Sequence, residues 1–332
     1  MGLPQVMQAV VIPVHGDASV LQYTKVPTPQ PGPGEVLVKV GAVGLNHLDI
    51  FVRRGMPGKA VLLPHISGAD VAGVVVAAGP GTSEAPMGQR VLVDPAVPNG
   101  AIGEDLPGGM ADYVKVPAAN LIPLPDHVSF EEAACLPIAY GTAWRMLITR
   151  ACLRPGETVF ILGASGGVGT GAVQIAKLAG ARVIAGTGSP SKAQRLREIG
   201  ADDVVETGDG AFDRKVWALT GKRGVDVVVN YTGGDTWIPS IRVLRKGGRL
   251  VTVGATAGYE ALIDVRYVWV RELNLLGSDG WTPEELRTLC RVTWEGRIRP
   301  IIDRVLPLSQ AAEGEEALER REVFGKVILR PD

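Results

Sequence analysis

A glycine-rich turn at positions 163–169 is the part of this chain whose residue types point most directly to ligand binding. An apolar stretch predicted as a strand, Val159–Leu162, comes directly before it, and apolar residues recur at helical spacing from Val168 to Ala179. A turn of small residues lets main-chain N–H groups approach a pyrophosphate, and the helix that follows directs its positive end at the anion. The pattern predicts a dinucleotide-binding turn, with an ordinary strand-to-helix turn as the alternative.

Within this turn, Gly166 and Gly169 take the second and third positions of the usual three-glycine pattern, and Ala164 takes the first. A second predicted strand, Arg182–Ala185, completes the local strand–helix–strand context. The predicted cofactor contacts of the turn are Ser165, Gly166, Gly167, Val168 and Gly169.

The segment after the second strand carries hydroxyl groups and a cation where an acid is usual. Folds that bind NAD usually place Asp or Glu here, and that acid repels a 2′-phosphate. This chain has the run Gly-Thr-Gly-Ser-Pro-Ser-Lys over residues 186–192, whose groups suit a phosphate. We expect Thr187, Ser189 and Lys192 to bind it, so that NADP(H) is preferred over NAD(H). Alternatively, Ser189 to Ser191 only cap the helix that begins near Lys192.

The order of the predicted elements indicates how these residues are positioned. The first part of the chain is rich in Gly and Pro and mainly β, with strands predicted at Gln8–Pro13, Val36–Val40, Val71–Ala77, Gln89–Val93 and Tyr113–Val116. Ser129, followed by acidic residues, is a predicted helix N-cap. From Pro155 onward helices alternate with further strands, predicted at Val159–Leu162, Arg182–Ala185, Asp203–Val205, Val225–Asn230, Arg249–Val253 and Asn274–Leu276. That alternation is typical of an α/β fold with a doubly wound parallel sheet.

The end of the chain completes the first domain. Short strands return from about Arg299, around one helix predicted at Leu308–Glu319. We therefore predict a β-rich domain over residues 1–135, completed by 276–332, and a nucleotide-binding domain over 136–275.

The composition limits which classes of partner the protein can bind. Hydrophobic residues make up 46% of the 332 residues, which is enough for two cores, and the net charge of −1 offers no electrostatic attraction for nucleic acid or an anionic membrane. The chain has no apolar run of membrane-spanning length, no signal-peptide pattern, and cysteines without metal-site spacing. We expect a cytoplasmic protein that acts on a small-molecule substrate, with no nucleic-acid or membrane partner.

Ordered motifs over nearly the whole chain give a more specific indication. They are Pro31-Gly-Pro-Gly-Glu-Val-Leu-Val38, Gly44-Leu-Asn-His-Leu-Asp49, Gly68-Ala-Asp-Val-Ala-Gly73, Gly108-Gly-Met-Ala-Asp-Tyr-Val114, Tyr140-Gly-Thr-Ala-Trp144, the glycine turn, and Phe324-Gly-Lys-Val327. In this order they resemble the medium-chain dehydrogenase/reductase superfamily, in its quinone oxidoreductase and zinc-less alcohol dehydrogenase-like branch. The resemblance implies a GroES-like β-rich catalytic domain and a Rossmann domain. It also implies a homodimer joined at the Rossmann sheet edges, near Asn274–Leu276.

The positions that carry metal ligands in zinc-dependent relatives are different here. Those relatives have cysteine where this chain has Asn46, a His-Glu pair at Ala69-Asp70, and a further cysteine near Ile138. The residues present lack the thiolate and imidazole donors that zinc favours. The counterpart of their structural zinc lobe, residues 94–105, contains no cysteine. We expect no zinc, and we interpret the remaining polar side chains as hydrogen-bonded structural groups rather than a metal cluster: His47, Asp49, His65 and Asp70.

Without zinc the substrate must already be electrophilic, because zinc otherwise stabilises the developing alkoxide. A quinone or an α,β-unsaturated carbonyl meets this condition, while the protein supplies orientation and hydrogen bonds. The resemblance places Asn46 as the donor to the oxyanion and His47 against the pyrophosphate, and these two with Asp49 form the predicted catalytic group. Alternatively, Asn46 braces the local turn and His47 is structural.

The resemblance also implies further cofactor contacts. Thr142 is expected beside the nicotinamide, and Lys326 is expected to contact the cofactor unless it is an ordinary exposed strand lysine. The loops after Val229 and Val253 lie at carboxyl ends of parallel strands, where such folds bind ligands. They contribute Asn230, Gly254, Ala255 and Thr256.

Three functions remain open on the sequence. The first is an NADPH-dependent oxidoreductase that transfers hydride, without zinc, to quinones or related activated carbonyls and alkenes. The second is an alcohol or aldehyde dehydrogenase of the same superfamily. The third is a cofactor-binding sensor or structural protein with little turnover.

Overall fold

The computed structural model describes residues 3–82, 87–98, 100–208 and 210–332. It forms two compact units, Met1–Ile138 together with Arg299–Asp332, and Ala139–Ile298. The strands are β1 (Val6–Val11), β2 (Gln22–Pro27), β3 (Glu35–Gly44), β4 (Asp70–Ala78), β5 (Arg90–Val93), β6 (Ala96–Val97), β7 (Gly100–Ala101), β8 (Tyr113–Pro117), β9 (Leu121–Pro123), β10 (Thr158–Ile161), β11 (Arg182–Thr187), β12 (Asp203–Glu206), β13 (Val225–Val229), β14 (Leu244–Thr252), β15 (Asn274–Gly277), β16 (Ile302–Pro307) and β17 (Lys326–Arg330).

The α-helices are α1 (His47–Arg54), α2 (Phe130–Ala133), α3 (Thr142–Trp144), α4 (Gly167–Leu178), α5 (Ala193–Glu198), α6 (Phe212–Leu219), α7 (Trp237–Arg242), α8 (Val265–Val270), α9 (Pro283–Trp294) and α10 (Ala311–Glu319). Two π-helical segments, Leu136–Gly141 and Arg145–Arg150, flank α3. Short 3₁₀ turns lie at Ala18–Val20, Ala118–Asn120, Pro190–Lys192, Gly234–Thr236 and Leu308–Gln310. In the described ranges, no helix combines the length and the apolar character that crossing a membrane requires.

The first unit is built on a mixed sheet in which the two ends of the chain meet. Its strand order is β16-β17-β3-β4-β5-β9, and β8 also pairs with β3. Val36, Val38 and Val40, at every second position of β3, enter the core. Because β17 pairs antiparallel with the end of β3, the last strand of the chain lies beside the residues that lead into α1.

The second unit contains the predicted nucleotide-binding sheet. Its strand order is β12-β11-β10-β13-β14-β15, and every pair is parallel. This is the strand order of the Rossmann fold. All residues of β10 and β13 are buried, as expected for strands covered by helices on both faces. The predicted α/β class, with a Rossmann sheet in one unit and a β-rich sheet in the other, is confirmed.

The main difference from the sequence concerns the second domain boundary, which was predicted at 275/276 and lies at 298/299. The boundary is later because α9 still packs on the Rossmann unit, where Glu285 pairs with Arg145 at 2.8 Å. The first boundary lies at 138/139 instead of 135/136. Ser129 is an N-cap as predicted, since its hydroxyl accepts from the N–H of Glu132 at 3.1 Å.

Candidate functional site

The glycine turn between β10 and α4 packs so tightly that one of its glycines cannot be replaced without movement. A Cβ on Gly169 would lie 2.5 Å from the carbonyl oxygen of Gly163 and from the carbonyl carbon of Ala164. Gly163 adopts a φ of 70°, a left-handed conformation that favours glycine. The turn therefore begins at Gly163, one residue before the position that the sequence pattern assigned to Ala164.

The opposite side of the same turn is open. A Cβ on Gly166 would meet only the oxygen of Gly163, at 3.8 Å. The N–H groups of the first helical turn, from Gly167 to Gly169, have no acceptor within the helix, and no acidic residue lies in that turn. Open space in front of unsatisfied N–H groups at a positive helix end fits a pyrophosphate.

The loop after β11 presents the predicted phosphate-binding residues beside this turn, since β10 and β11 are neighbouring parallel strands. Thr187 is buried, and its Oγ1 accepts from the N–H of Ser189 at 3.2 Å. The hydroxyls of Ser189 and Ser191 lie 2.8 Å apart, and a Cβ on Gly188 would meet nothing within 4 Å. Ser189 is the N-cap residue of the short turn that follows, but its side chain makes no capping hydrogen bond to that turn, and its contact with a phosphate stays a prediction.

Asn230, a predicted cofactor contact, uses its side chain within its own loop. Its Nδ2 donates to Ser240 Oγ at 2.9 Å and to Thr236 Oγ1 at 3.1 Å. Its Oδ1 accepts from the N–H groups of Thr232 at 2.9 Å and Gly233 at 3.1 Å. This amide therefore shapes the loop after β13, with both of its hydrogens donated to acceptors inside the protein, and the cofactor contact of Asn230 stays a prediction.

The remaining predicted residues of the second unit differ in accessibility. Thr142 is buried at the start of α3. In the loop after β14, Gly254 and Thr256 are exposed and Ala255 is half-buried. Tyr231 connects the loop after β13 to the glycine turn, because its hydroxyl donates to the oxygen of Gly163 at 2.7 Å.

In the first unit, Asp49 organises the start of α1. Its Oδ2 accepts from the N–H of Asn46 at 2.7 Å, and its Oδ1 accepts from Ser67 Oγ at 3.0 Å and from the N–H of Gly68 at 2.9 Å. Burial raises the pKa of Asp49 to about 6. These three hydrogen bonds fix the start of α1, and the catalytic role of Asp49 stays a prediction.

Asn46 is engaged in the same way. Its Nδ2 donates to the oxygen of Gly44 at 3.1 Å and to Asp70 Oδ2 at 2.9 Å, while its Oδ1 accepts from Lys326 Nζ at 2.6 Å. Both amide hydrogens have acceptors inside the protein, and the donation from Asn46 to a substrate oxyanion stays a prediction. The next residue, His47, is exposed at the first position of α1 and stays a candidate ligand contact.

Lys326 differs from one of the two interpretations made from the sequence. It is only 2% exposed, and its ammonium donates to Leu45 O, Asn46 Oδ1 and Asp70 Oδ2 at 2.8, 2.6 and 3.0 Å. The side chain is thus not an exposed strand lysine, and its contact with a cofactor stays a prediction. We call Asn46, Asp49, Asp70 and Lys326 the buried polar cluster.

The other candidate metal donors are also hydrogen-bonded structural groups. Asp70 Oδ1 accepts from the N–H of Ile138 at 2.8 Å, and His65 Nε2 lies 3.2 Å from the oxygen of Gly103. Within the part of the chain that the structure describes, no group of three or more His, Cys, Asp or Glu side chains could hold a metal ion.

A buried ion pair between α1 and α10 was missed by the sequence analysis. Arg53 donates from Nε to Glu315 Oε2 at 2.6 Å, and both side chains are fully buried. Arg53 also contacts Glu319 at 2.5 Å, so two carboxylates share one guanidinium. No local pattern indicates this pair, since its members are 262 residues apart.

Comparisons with known proteins agree with this architecture. Residues 32–126 match the family described as alcohol dehydrogenase GroES-like domain, and residues 167–295 match the family described as zinc-binding dehydrogenase. The chain is 31% identical to quinone oxidoreductase of Sus scrofa over 333 residues, which cover 98% of each protein. The chain belongs to the medium-chain dehydrogenase/reductase superfamily.

Two solved structures of similar proteins differ in the cofactor that their descriptions name. An NAD-dependent alcohol dehydrogenase superposes with a TM-score of 0.93 at 40% identity, covering 98% of this chain and all of that one. The 2-octenoyl-CoA carboxylase reductase CinF, in complex with NADP and 2-octenoyl-CoA, has a TM-score of 0.88 at 30% identity and covers 99% of this chain and 88% of that one. This medium-chain dehydrogenase/reductase is an oxidoreductase whose substrate these relatives leave open.

Proposed function

We propose that this protein is an NADPH-dependent reductase that transfers hydride to quinones or related activated carbonyls and alkenes without zinc. The observation that carries the proposal is the edge of the Rossmann sheet where the open glycine turn lies beside a loop of hydroxyl groups and Lys192. An acid at the end of β11 would repel a 2′-phosphate, and Thr187 and Gly188 occupy that position.

The residues present fit a dinucleotide. The N–H groups of Gly167 to Gly169 would hold its diphosphate, and Thr187, Ser189 and Lys192 would hold a 2′-phosphate. Gly254, Ala255 and Thr256 would contact the rest of the molecule from the end of β14. When bound, the nicotinamide supplies the hydride. The protein binds and orients the reactants, and His47 is the exposed side chain at the first position of α1.

Zinc-independent chemistry is supported by what lies at the start of α1. An ammonium sits among Leu45 O, Asn46 Oδ1 and Asp70 Oδ2, within 3.0 Å of each. A second cation at that point would be repelled by the first. A substrate that delocalises negative charge by itself removes the need for a Lewis acid.

A specific observation favours a second candidate. The solved structure at 40% identity is named an NAD-dependent alcohol dehydrogenase, so oxidation of an alcohol with NAD is the alternative. A cofactor-binding protein with little turnover is the third possibility, and tight NADPH binding without turnover would support it.

One assay separates these functions. Purified protein is given NADPH or NADH with a panel of quinones, enones and aldehydes, and NAD or NADP with alcohols, each with and without chelator, and its zinc content is measured. We expect NADPH oxidation by quinones or enones, unchanged by chelator, and no stoichiometric zinc. Zinc bound at a stoichiometric level and required for turnover would refute the proposal, and alcohol-dependent NAD reduction alone would favour the second candidate.

We also propose a homodimer formed by a two-fold pairing of β15, the edge strand of the Rossmann sheet. An open apolar edge invites pairing with a second copy. Large apolar side chains are exposed on this strand and in the segment before it: Tyr259, Leu262, Val265, Trp269, Val270 and Leu275. Sedimentation velocity should give a dimer that Leu275→Lys dissociates, whereas Leu62→Lys, at a leucine of the other unit that is more exposed (83% against 39%), should not. A monomer at micromolar concentration would contradict this.

A location in the cytoplasm and a small molecule as the only class of ligand complete the proposal.

A further inference from the structure

The buried polar cluster contains a cation that the protein supplies itself. Lys326 Nζ lies 2.8 Å from a main-chain carbonyl, 2.6 Å from an amide oxygen and 3.0 Å from a carboxylate oxygen. Carbonyl, amide and carboxylate oxygens are the ligands that hard cations take in proteins. Here an ammonium on β17 meets them, with one N–H for each oxygen.

The charges of the cluster determine the orientation of the Asn46 amide. Lys326 can only donate, so the oxygen of the amide must face it, and the Asp70 carboxylate can only accept, so the NH₂ group must face that. The second hydrogen of the NH₂ group goes to Gly44 O at 3.1 Å. A flipped amide would place its NH₂ group against the Lys326 ammonium and its oxygen against the Asp70 carboxylate. Only one orientation of the amide therefore forms both hydrogen bonds.

The same contacts tie together the segments that lead into α1. Asp70 begins β4 and also accepts from the N–H of Ile138. Asn46 ends the connection from β3 to α1, and its own N–H donates to Asp49. Without the ammonium, Asp70 would be a buried charge with no cation, and Asn46 would lose its orientation.

We propose that Lys326 is a positioning residue, a built-in cation that orients Asn46 and the start of α1 and thereby places His47. The kinetic part of this inference rests on the proposed function. The cation site itself does not, because it can be tested by unfolding alone.

The test is chemical rescue of Lys326→Ala. Removing the side chain leaves a small cavity lined by the three oxygens. Methylammonium or ethylammonium can fill this cavity and donate hydrogen bonds to the oxygens. Tetramethylammonium cannot donate them, because it has no N–H groups. We expect the unfolding temperature of Lys326→Ala to be lower than that of the wild type and to be raised by the two primary amines but not by tetramethylammonium at equal ionic strength.

The control is Lys115→Ala. Lys115 pairs with Glu35 at 3.0 Å in the same unit, but its side chain is 40% exposed. The control and the wild type should respond alike to all the salts, because neither holds a vacated cation site.

Turnover gives a second readout, measured with whichever substrate the wild type reduces. We expect Lys326→Ala to lower kcat about tenfold or more, to change the KM for NADPH less than about twofold, and to regain kcat in methylammonium. A merely structural role would not produce rescue that depends on the N–H groups of the amine.

The outcomes separate the two proposals. Two results would overturn the positioning role. In one, Lys326→Ala folds but the primary amines restore neither its stability nor its kcat. In the other, Lys326→Ala folds and keeps the kcat of the wild type. If the alanine variant does not fold, Lys326→Met, which removes the charge while keeping much of the volume, decides by the same kcat criterion. An inactive wild type together with selective thermal rescue of the variant refutes the proposed function and leaves the cation site standing.

Discussion

The glycine turn and the buried polar cluster are both polar, and they use their polar groups in opposite ways. In the turn, the N–H groups of Gly167 to Gly169 have no acceptor within the helix, and space is open in front of Gly166. In the cluster, every hydrogen of Lys326 and of the Asn46 amide has an acceptor inside the protein. Unsatisfied groups facing open space are prepared for a ligand, whereas saturated groups hold the protein together.

The largest effect on the free energy of unfolding is expected where a buried hydrogen bond of the cluster is broken. Asp49→Asn at about pH 8 places an NH₂ group against donors, so at least one of the N–H groups of Asn46 and Gly68 or the Ser67 hydroxyl loses its acceptor. We expect a loss of about 3–5 kcal/mol in the free energy of unfolding, measured by urea denaturation. The control is Asp17→Asn, at an exposed cap of the same unit. An equal effect of the two substitutions would show that the cluster is not special.

The second prediction separates the two sides of the glycine turn. Gly169→Ala inserts a Cβ 2.5 Å from main-chain atoms, and we expect it to cost about 2–3 kcal/mol of unfolding free energy. Gly166→Ala has room for its Cβ, so thermal unfolding should barely change while the Kd for NADPH rises. If both variants lose stability alike, the open side of the turn is not a ligand cradle.

The third prediction concerns how the free energy of unfolding depends on pH through a buried acid, Glu315. Burial, followed by the charge of Asp49, raises the pKa of Glu315 to about 7, although Arg53 pairs with it. The folded protein therefore keeps a proton that the unfolded chain releases near pH 4.3. The resulting stabilisation is complete below that pH and is lost as the pH rises through about 7.

Glu315→Gln removes this titration. We expect the fall in unfolding free energy between about pH 5 and about pH 8 to be smaller by about 2 kcal/mol in the variant, measured by urea denaturation. Glu316→Gln, at the exposed neighbouring position of α10, is the matched control and should follow the wild type. If the unfolding free energy of Glu315→Gln fell with pH as steeply as that of the wild type, this carboxyl would titrate normally in the folded protein.

The smallest effect is expected at the ligand side, where stability is not involved. Lys192→Glu should lower the preference for NADPH over NADH by about tenfold or more, which is about 1.4 kcal/mol, because a cation at the phosphate becomes an anion. The change should appear in the KM for NADPH, with kcat nearly constant. Arg197→Glu, further along α5, changes the net charge equally and should leave the preference as it is. If the kinetic parameters for NADPH and NADH changed together, the assignment of Lys192 to the 2′-phosphate would be wrong.

The two sites also differ in how far the sequence predicts them. The turn between β10 and α4, the strands on either side of it and the Ser129 cap come from residues close in the chain, and these elements were predicted correctly. The sequence does not show which hydrogen bonds the side chains of Asn46 and Asp49 make, and their catalytic roles stay predictions. Ser189 lies at an N-cap position without a side-chain capping hydrogen bond, and its contact with a phosphate stays a prediction.

By itself, the sequence determined the alternation of strands and helices, the Rossmann turn and the family, since these follow from periodicity and from contacts between near neighbours. The tertiary structure decided what the buried charges do. Lys326 meets Asn46 across 280 residues, and Arg53 meets Glu315 across 262. A charge can be buried only where a partner of opposite sign compensates for its lost hydration. Which partner is near depends on how β17 joins β3 and how α10 covers α1, and no local pattern encodes that.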